Sequence, residues 1–542
     1  MSRVTTLDDA AAAVPNGALV TFGGFDLNRA PMALARAILR QRRTGLRLVS
    51  PPNPLPLDLL VGGGAAASIE FGYLGFQYER GFVVAPNVRR AVERGTIAWR
   101  ERDVFEIVQG MRAAATGVPF LPIPGGEGSD YATQDPPLQA SLEPGQQHAV
   151  ARALRPDVAL LHAQEADRDG NLLITDPYAD ELLSRAARLV IATAERIVGR
   201  VARPTIPGVR VHAVVEAPGG AFPTSCHGHY RHSAAHLETW LDHAAKDRFA
   251  AFIEAFVTGP TDESALLAAA GGLPAWDAHD VVDDAAADAA AHAAAIAGGA
   301  PEGVGTADRL VVGMARRIAD GDLVVTGLAS ALPMLAVGVA RATHAPNMTY
   351  INCVGAVDPE IGTIGPTSVD VRLLDRCRGR VILTDLFDLA RLGRIDVMFF
   401  GAAQTDAAAR MNLTCIGDYA RPKVKLPGPA GSTSIRPCVR KVVILAPRHS
   451  PRTLVERVDF ASSVSSPMNR ETWVVSDLAL LRLEGGLLHV ASRHAGVSPD
   501  ELRAKTGFAV DGRGTATTPE PTREEMAAIV RHDPSGLRHR LI

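Results

Sequence analysis

The segment NGALVTFGGFDLNRAPMALARAIL at residues 16–39 has a counterpart in DGDLVVTGLASALPMLAVGVARA at residues 320–342. Each contains a turn, an apolar strand, a glycine turn and a helix that begins near a proline, Pro31 in the first and Pro333 in the second. The two prolines lie about 300 residues apart, a period too long for a solenoid repeat, so we expect two homologous lobes. The alternative is a coincidence between two ordinary strand–turn–helix units.

Short apolar runs alternate with helical stretches in both halves of the chain, a pattern typical of open α/β sheets. The runs that we expect to form strands are residues 158–162, 189–193, 380–384, 397–400 and 441–445. Between the halves, an alanine-rich stretch of high helix propensity ends in glycines and indicates a short helix followed by a linker. We therefore place the first lobe at residues 1–295, the linker at 296–306 and the second lobe at 307–542.

The composition is that of a globular protein, with 47% apolar and 21% charged residues. A formal net charge of −3 gives no electrostatic footprint for nucleic acid or an anionic membrane, so we expect neither partner. The five cysteines are scattered without a CxxC pair, which argues against a disulfide framework or a zinc module. The N-terminus has acidic residues where an export signal has an apolar run, so we predict a cytoplasmic protein. The uncharged segment 323–340 contains Pro333 and is interpreted as strand, turn and buried helix rather than a membrane span.

Glycine turns and loops are the first candidates for a binding site. Their backbone N–H groups can approach an anion or a developing oxyanion, although a strand–turn–helix corner also needs glycine for steric reasons alone. No GxGxxG fingerprint is completed, so a dinucleotide site is not supported. The glycines that we select as substrate-binding candidates are Gly23, Gly24, Gly327, Gly355, Gly401, Gly428 and Gly431.

Two groups of polar side chains also invite a functional interpretation. Gln404 follows the apolar run 397–400, where its amide can donate a hydrogen bond to an oxyanion; the alternative is a solvated turn glutamine. Several histidines cluster after Cys226, but no partner completes a recognised ligand spacing. We therefore predict no metal site and interpret this segment as a substrate-facing loop.

Several ordered stretches resemble the family I CoA-transferases of the glutaconate type across nearly the whole chain. They include GGFDLNRAPMALARAIL (residues 23–39), HAQEADRDGNLLI (residues 162–174), MFFGAAQTD (residues 398–406) and residues 474–508. The resemblance implies that the two subunits of that family are fused here, with two α/β lobes and an active site at their interface. It also implies an acyl-CoA substrate and a carboxylate acceptor, coenzyme A as a substrate moiety with no tightly bound cofactor, and a dimer of fused chains.

The chain departs from this family at the catalytic position. The family's glutamate attacks the acyl-CoA carbonyl and stands directly after a strand, where this chain has Cys353-Val354-Gly355. A cysteine cannot form the acyl–carboxyl anhydride of that mechanism. An offshoot of the family lacks the glutamate and opens rings of cyclic β-diketone CoA thioesters. Its acid–base glutamate lies on the first of its two subunits, which the resemblance places at Glu101 or Glu106, with Val104 as the alternative alignment.

Three hypotheses about function follow from the resemblance and from this departure. The first is an acyl-CoA enzyme that transfers CoA to a carboxylate. The second is a hydrolase that acts on a cyclic β-diketone acyl-CoA or on the thioester itself, and the third is a non-catalytic acyl-CoA binder. The catalytic candidates are Cys353, Glu106, Glu101 and Gln404.

Overall fold

The computed structural model describes residues 2–124, 126–134, 138–143, 146–276, 303–510 and 516–542. The alanine-rich stretch and most of the predicted linker, residues 296–306, lie outside the described residues. The boundary between the lobes therefore stays a prediction.

The first lobe is built on a sheet whose main path runs β13-β12-β10-β1-β2-β3-β6, with every neighbouring pair parallel. Strand β11 adds an antiparallel partner to β10. The central strands are almost continuously apolar, as expected of parallel strands buried on both faces. The strands of this lobe are β1 Leu19–Phe22, β2 Leu46–Ser50, β3 Ala66–Phe71, β4 Gly75–Tyr78, β5 Gly81–Val84, β6 Ala98–Glu101, β7 Phe120–Pro122, β8 Leu138–Glu143, β9 Gln146–Arg152, β10 Val158–Asp167, β11 Leu172–Leu173, β12 Leu189–Val198 and β13 Ala213–Glu216.

The second lobe has its own sheet in the order β17-β16-β15-β14-β18-β23-β25-β26-β27-β28. Its centre, from β15 to β25, is parallel, and antiparallel pairs follow on both sides. The strands of this lobe are β14 Leu323–Thr326, β15 Thr349–Asn352, β16 Ala356–Val357, β17 Gly379–Arg380, β18 Val397–Gly401, β19 Gln404–Asp406, β20 Met411–Asn412, β21 Cys415–Ile416, β22 Val424–Lys425, β23 Lys441–Ala446, β24 Leu454–Val455, β25 Glu471–Ser476, β26 Ala479–Glu484, β27 Leu487–Arg493 and β28 Ala516–Thr517.

Helices cover the two sheets. Those of the first lobe are α1 Leu7–Ala12, α2 Met32–Arg40, α3 Pro54–Gly62, α4 Pro86–Arg94, α5 Val104–Thr116, α6 Tyr131–Gln134, α7 Asp180–Ala186, α8 Ala234–Ala245, α9 Phe249–Ile253 and α10 Glu263–Ala269. Those of the second are α11 Thr306–Ala315, α12 Ala331–Thr343, α13 Leu383–Arg391, α14 Ser432–Ile435, α15 Pro499–Lys505 and α16 Arg523–His532. No helix in the described part of the chain is long and apolar enough to cross a membrane.

The predicted repeat is present in both sheets. The unit β1–α2–β2 of the first lobe has its counterpart in β14–α12–β15 of the second, and in each the two strands are parallel neighbours. Segment 323–340 divides into β14, a turn and the buried helix α12, as expected. The predicted fold of two open α/β sheets is therefore confirmed.

The predicted strand at residues 380–384 is wrong. Only Gly379–Arg380 pairs as a strand, and helix α13 begins at Leu383. The carboxylate of Asp385 accepts a hydrogen bond from the N–H of Ile382 at 3.1 Å and so caps the first turn. This local cap favours a helix over an apolar strand.

The two lobes pack into a common hydrophobic core that contains residues from both sheets. Polar contacts cross the same interface. The side-chain amide of Asn28 donates to the carbonyl of Val369 at 2.8 Å, and Arg112 forms an ion pair with Asp388 at 2.7 Å. The lobes therefore pack against each other over a shared apolar and polar interface.

Candidate active site

A cavity of about 1160 Å³ lies between the two lobes. Its second-lobe wall includes residues at the carboxyl ends of three neighbouring parallel strands, β14, β18 and β23. Ligands of open α/β sheets bind at this edge. Its first-lobe wall comes from the hairpin β4–β5, from α4 and from the end of α8. The cavity therefore exists only where the two lobes meet.

Three of the predicted glycines line this cavity. Gly327 follows β14, Gly401 ends β18, and Gly431 lies in the loop before α14. No heavy atom lies within 4 Å of the position that a Cβ of Gly401 would take, so the wall is open there. Gly401 therefore leaves room for a bound molecule, whereas a Cβ at Gly431 would lie only 2.7 Å from the ring of Phe387.

The other four predicted glycines have steric roles outside this wall. Gly23 and Gly24 pack closely against other parts of the first lobe, and the N–H of Gly24 donates to Asp180 at 3.1 Å. Gly355 and Gly428 have φ of +94° and +103°, values that only glycine adopts without strain. They allow close backbone contacts rather than contact with the cavity.

Cys353 is held at the end of β15 by a network of its neighbours. The side-chain amide of Asn352 donates to the carbonyl of Ser368 at 2.8 Å, and the hydroxyl of Ser368 accepts from the N–H of Ser330 at 2.9 Å. These bonds join the turn before α12 to the residue before Cys353. Cys353 itself is buried, and burial raises the pKa of its thiol, with a further contribution from the nearby charge of Asp26. The thiol is therefore neutral and a weak nucleophile in this site.

Asp26 is a functional candidate that the sequence analysis did not select. It follows the Gly23-Gly24 turn with φ of +54° and is 1% exposed. Its backbone N–H donates to the carbonyl of Pro52 at 2.8 Å, but its Oδ1 has no hydrogen-bond partner among the described residues. Burial raises the pKa of this carboxyl group well above its usual range. The available signal was that Asp26 is the one acidic residue in the repeated segment at residues 16–39.

Tyr73 joins this buried pair to the cavity. It lines the cavity wall, and burial raises the pKa of its phenol, with further contributions from the carboxyl group of Asp26 and the thiol of Cys353. The backbone on either side of Tyr73 is fixed to the second lobe: the N–H of Leu74 donates to Pro427 at 2.7 Å, and the carbonyl of Gly72 accepts from Ala430 at 2.9 Å. Because the resemblance places the family's catalytic residue at Cys353, we predict that the chemistry occurs at Asp26, Tyr73 and Cys353, hereafter called the reaction centre.

Glu101 and Glu106, the predicted acid–base candidates, lie elsewhere on the interface. Glu101 forms a fully buried ion pair with Lys425 of the second lobe and accepts a hydrogen bond from Tyr131 at 2.6 Å. Glu106 forms an ion pair with Arg102 at 2.8 Å. Both line a separate cavity of about 40 Å³, which holds little more than one water molecule. Their assignment as catalytic residues stays a prediction.

Gln404 is occupied by partners in the second lobe. Its side-chain oxygen accepts from the amide of Asn412 at 2.8 Å and from the N–H of Asp459 at 3.0 Å, and its side-chain nitrogen donates to the carboxylate of Asp459 at 3.3 Å. The small residues Ala402 and Ala403, just before it, line the cavity instead. The structure therefore places Gln404 behind the wall.

The histidine-rich segment after Cys226 contacts both lobes. His227 lies 2.8 Å from Asp375 of the second lobe. Potential ligand atoms of Cys226, His162 and Glu195 lie within 4.8 Å of one another, but Glu195 already contacts His162 at 2.7 Å and accepts from Tyr230 at 2.6 Å. Hydrogen bonds account for these polar groups without an ion.

Similarity to known proteins decides the family. The family model of the coenzyme A transferases matches residues 4–217 and 308–505, which covers both lobes. This chain belongs to the coenzyme A transferase family. It is 32% identical to one of the two subunits of the 3-oxoadipate CoA-transferase of Pseudomonas knackmussii, over 49% of this chain and 96% of that polypeptide. It is 31% identical to the other one, over 41% of this chain and 91% of that polypeptide.

Other members of the family are also similar. The cholesterol ring-cleaving hydrolase IpdA subunit of Rhodococcus jostii is 31% identical over 48% of this chain and 93% of that polypeptide. Among solved structures, a chain of the decarboxylase AibA/AibB is 41% identical, with a TM-score of 0.43 over 44% of this chain and 99% of that one. The acyl-CoA transferase YdiF from E. coli O157:H7 shares the fold across 96% of this chain and 94% of that one, with a TM-score of 0.67 and 14% identity.

These similarities confirm the predicted family and the fusion of two subunits in one chain. The protein is an acyl-CoA-processing enzyme of the CoA-transferase type. They do not assign individual side chains.

Proposed function

We propose that this enzyme binds an acyl-CoA thioester in the interface cavity and reacts with it at the reaction centre. The observation that carries the proposal is the cavity itself, which reaches from the exposed arginines of α4 to the buried Tyr73. Small-molecule sites commonly have volumes of about 300–1000 Å³, so a cavity slightly above that range suits a long ligand such as an acyl-CoA.

The character of the walls fits the parts of an acyl-CoA. Apolar residues such as Phe82, Leu328 and Phe400 line much of the cavity and suit the pantetheine arm. Three arginines lie on its first-lobe wall and suit the charged nucleotide end. We therefore place the acyl group beside Tyr73 and Cys353.

The first candidate reaction is transfer of CoA between an acyl-CoA and a carboxylate, as in the 3-oxoadipate CoA-transferase relatives. That reaction needs an enzyme carboxylate that attacks the thioester carbonyl, because only a carboxylate can form the anhydride and then the enzyme–CoA thioester. Cys353 cannot take this role. Asp26 is the carboxyl group beside it, so transfer by this route would run through Asp26 in its ionised form.

The second candidate is a reaction of the acyl group in which CoA stays on the product or is released to water. Two features favour it: a neutral thiol stands where the family resemblance places a glutamate, and burial raises the pKa of the nearby Asp26 carboxyl group, which favours its protonated form. A protonated acid can donate a proton but does not attack a carbonyl. The relative named as a ring-cleaving hydrolase supports this class of chemistry.

One experiment separates the candidates. The enzyme is incubated with 3-oxoadipyl-CoA, glutaconyl-CoA or acetyl-CoA, with and without succinate as acceptor, and then reduced with borohydride for intact-mass analysis. Transfer predicts CoA on succinate and conversion of the Asp26 carboxyl group to an alcohol, because borohydride reduces the enzyme–CoA thioester and releases CoA. The second candidate predicts an unchanged Asp26 and a changed or released acyl group, with oxygen from labelled water for hydrolysis or with carbon dioxide for decarboxylation.

Matched variants locate the chemistry. Cys353→Ser is expected to alter turnover, whereas Cys226→Ser, a change at another buried cysteine, should not. Cys353→Glu restores the family's nucleophile and is expected to give covalent CoA transfer if the rest of the site is intact. Binding of these thioesters without any turnover would contradict both candidates and indicate a non-catalytic binder.

A further inference from the structure

The cavity is lined on one side by a group of arginines that the reaction does not need. Arg89, Arg90 and Arg94 lie on helix α4, and Arg94 is 58% exposed. Tyr73 of the same cavity is only 6% exposed, so the arginines mark the mouth and Tyr73 the interior. Positive charge is thus concentrated where the cavity opens to solvent.

Two of these arginines converge on one carboxylate. Arg90 and Arg94 are one helical turn apart, which places their side chains on the same face of α4. Both contact Asp247, Arg90 at 3.1 Å and Arg94 at 3.3 Å. Arg90 also donates to the backbone carbonyl of Ala244 at the end of α8. The two guanidinium groups therefore face one point with a single negative charge between them.

The remaining charges at the mouth do not neutralise this pair. Arg89 is engaged with Glu93 at 2.8 Å, and the same oxygen of Glu93 accepts from the N–H of Lys425 at 2.8 Å. Glu93 is thus committed to holding α4 against the second lobe. Asp247 is 63% exposed, and an exposed ion pair of this kind contributes little to stability. A phosphate group can replace it at little cost.

We propose that Arg90 and Arg94 form a subsite for the phosphate groups of the coenzyme A nucleotide, and that Asp247 occupies this subsite when no CoA is bound. Guanidinium groups bind phosphate oxygens in a bidentate manner, and a phosphate carries more negative charge than the carboxylate it displaces. The inference rests on the proposed function, and it fixes the direction of the substrate: nucleotide on α4 and acyl group at Cys353.

The test is a calorimetric titration of the full chain with CoA, dephospho-CoA and pantetheine. Arg94→Gln and Arg90→Gln are each expected to weaken CoA binding about tenfold, the value of a charge-assisted hydrogen bond, and to leave pantetheine binding unchanged. Asp247→Asn frees both arginines and is expected to tighten CoA binding severalfold. Arg188→Gln, at a 72% exposed arginine in another part of the first lobe, is the matched control and should have no effect.

The outcomes distinguish the subsite from the function. Weaker binding of dephospho-CoA than of CoA assigns the subsite to the 3′-phosphate, and equal binding assigns it to the diphosphate. If CoA binds the wild type, and Arg90→Gln and Arg94→Gln bind CoA with the same affinity as the wild type, the subsite is contradicted while the proposed function stands. If neither CoA nor pantetheine binds the wild type, both proposals fail. The charge-conserving variant Arg94→Lys is measured as well. A midpoint of thermal unfolding equal to that of the wild type excludes a folding defect in each variant.

Discussion

At the scale of single residues, the reaction centre combines a buried acid with a neutral thiol. A buried carboxyl group is costly when ionised and tolerable when protonated. Oδ1 of Asp26 has no hydrogen-bond partner among the described residues, and burial outweighs the backbone hydrogen bond of Leu27 in raising the pKa of the carboxyl group. For the acyl group that we propose to bind there, a protonated acid suits donation of a proton better than nucleophilic attack.

Asp26→Asn tests this charge state. Because the pKa of Asp26 is raised in the folded protein, the folded state favours the protonated form. The stability that the raised pKa provides is fully present below the pKa of Asp26 in the unfolded chain. It is lost as pH rises through the pKa of Asp26 in the folded protein. The variant does not titrate at this position, so its free energy of unfolding relative to that of the wild type should increase as the pH rises. Urea denaturation between pH 5 and 9 measures this.

The control for Asp26→Asn is Asp169→Asn, a change at an exposed aspartate. Its free energy of unfolding relative to that of the wild type should not change between pH 5 and 9. A difference for Asp26→Asn that stays constant with pH would show that the carboxyl group is ionised throughout. In that case Asp26 would be suited to nucleophilic attack, and the result would favour CoA transfer over the second candidate reaction.

At the scale of elements, local pattern determined much of what could be predicted. The units β1–α2–β2 and β14–α12–β15 follow from an apolar run, a glycine turn and a helix in order, all within one short segment. The strand expected at residues 380–384 failed because Asp385, beyond the apolar run, caps a helix. The glycines that line the cavity could not be told from those with steric roles, since that depends on how the lobes pack.

Gly428→Ala tests a close approach of two elements. Gly428 has φ of +103°, and a Cβ here would lie 2.9 Å from the carbonyl oxygen of Gly72 in the first lobe. We expect a loss of about 1–3 kcal/mol in the free energy of unfolding, from backbone strain and from separation of the lobes at this point. Gly401→Ala, where no atom lies within 4 Å, should be nearly neutral. Equal stability of the two variants would show that the loop relaxes freely.

At the scale of the whole molecule, the interface determines which acidic residues remain available for chemistry. The family resemblance pointed to Glu101, but its partner Lys425 lies more than three hundred residues away in the chain and becomes adjacent only when the lobes pack. Asp26 of the first lobe likewise comes near enough to Cys353 of the second to raise the pKa of its thiol only when the lobes pack. The family, the fold and the candidate Cys353 were therefore predictable from local motifs, whereas Asp26 and Tyr73 were not selected.

Lys425→Met tests how the buried pair joins the lobes. Removing Lys425 leaves Glu101 uncompensated in a site where neither side chain is exposed, and such a loss costs about 3–5 kcal/mol. Burial already raises the pKa of Glu101 and Lys425 opposes that effect, so the variant should bind a proton there and be least stable at high pH. The double variant Glu101→Gln with Lys425→Met should recover much of the loss.

The control is Arg503→Ala, which removes an exposed ion pair with Asp500 and should change stability by less than about 1 kcal/mol. If urea denaturation shows that Lys425→Met is as mild as this control, the pair contributes nothing to the association of the lobes.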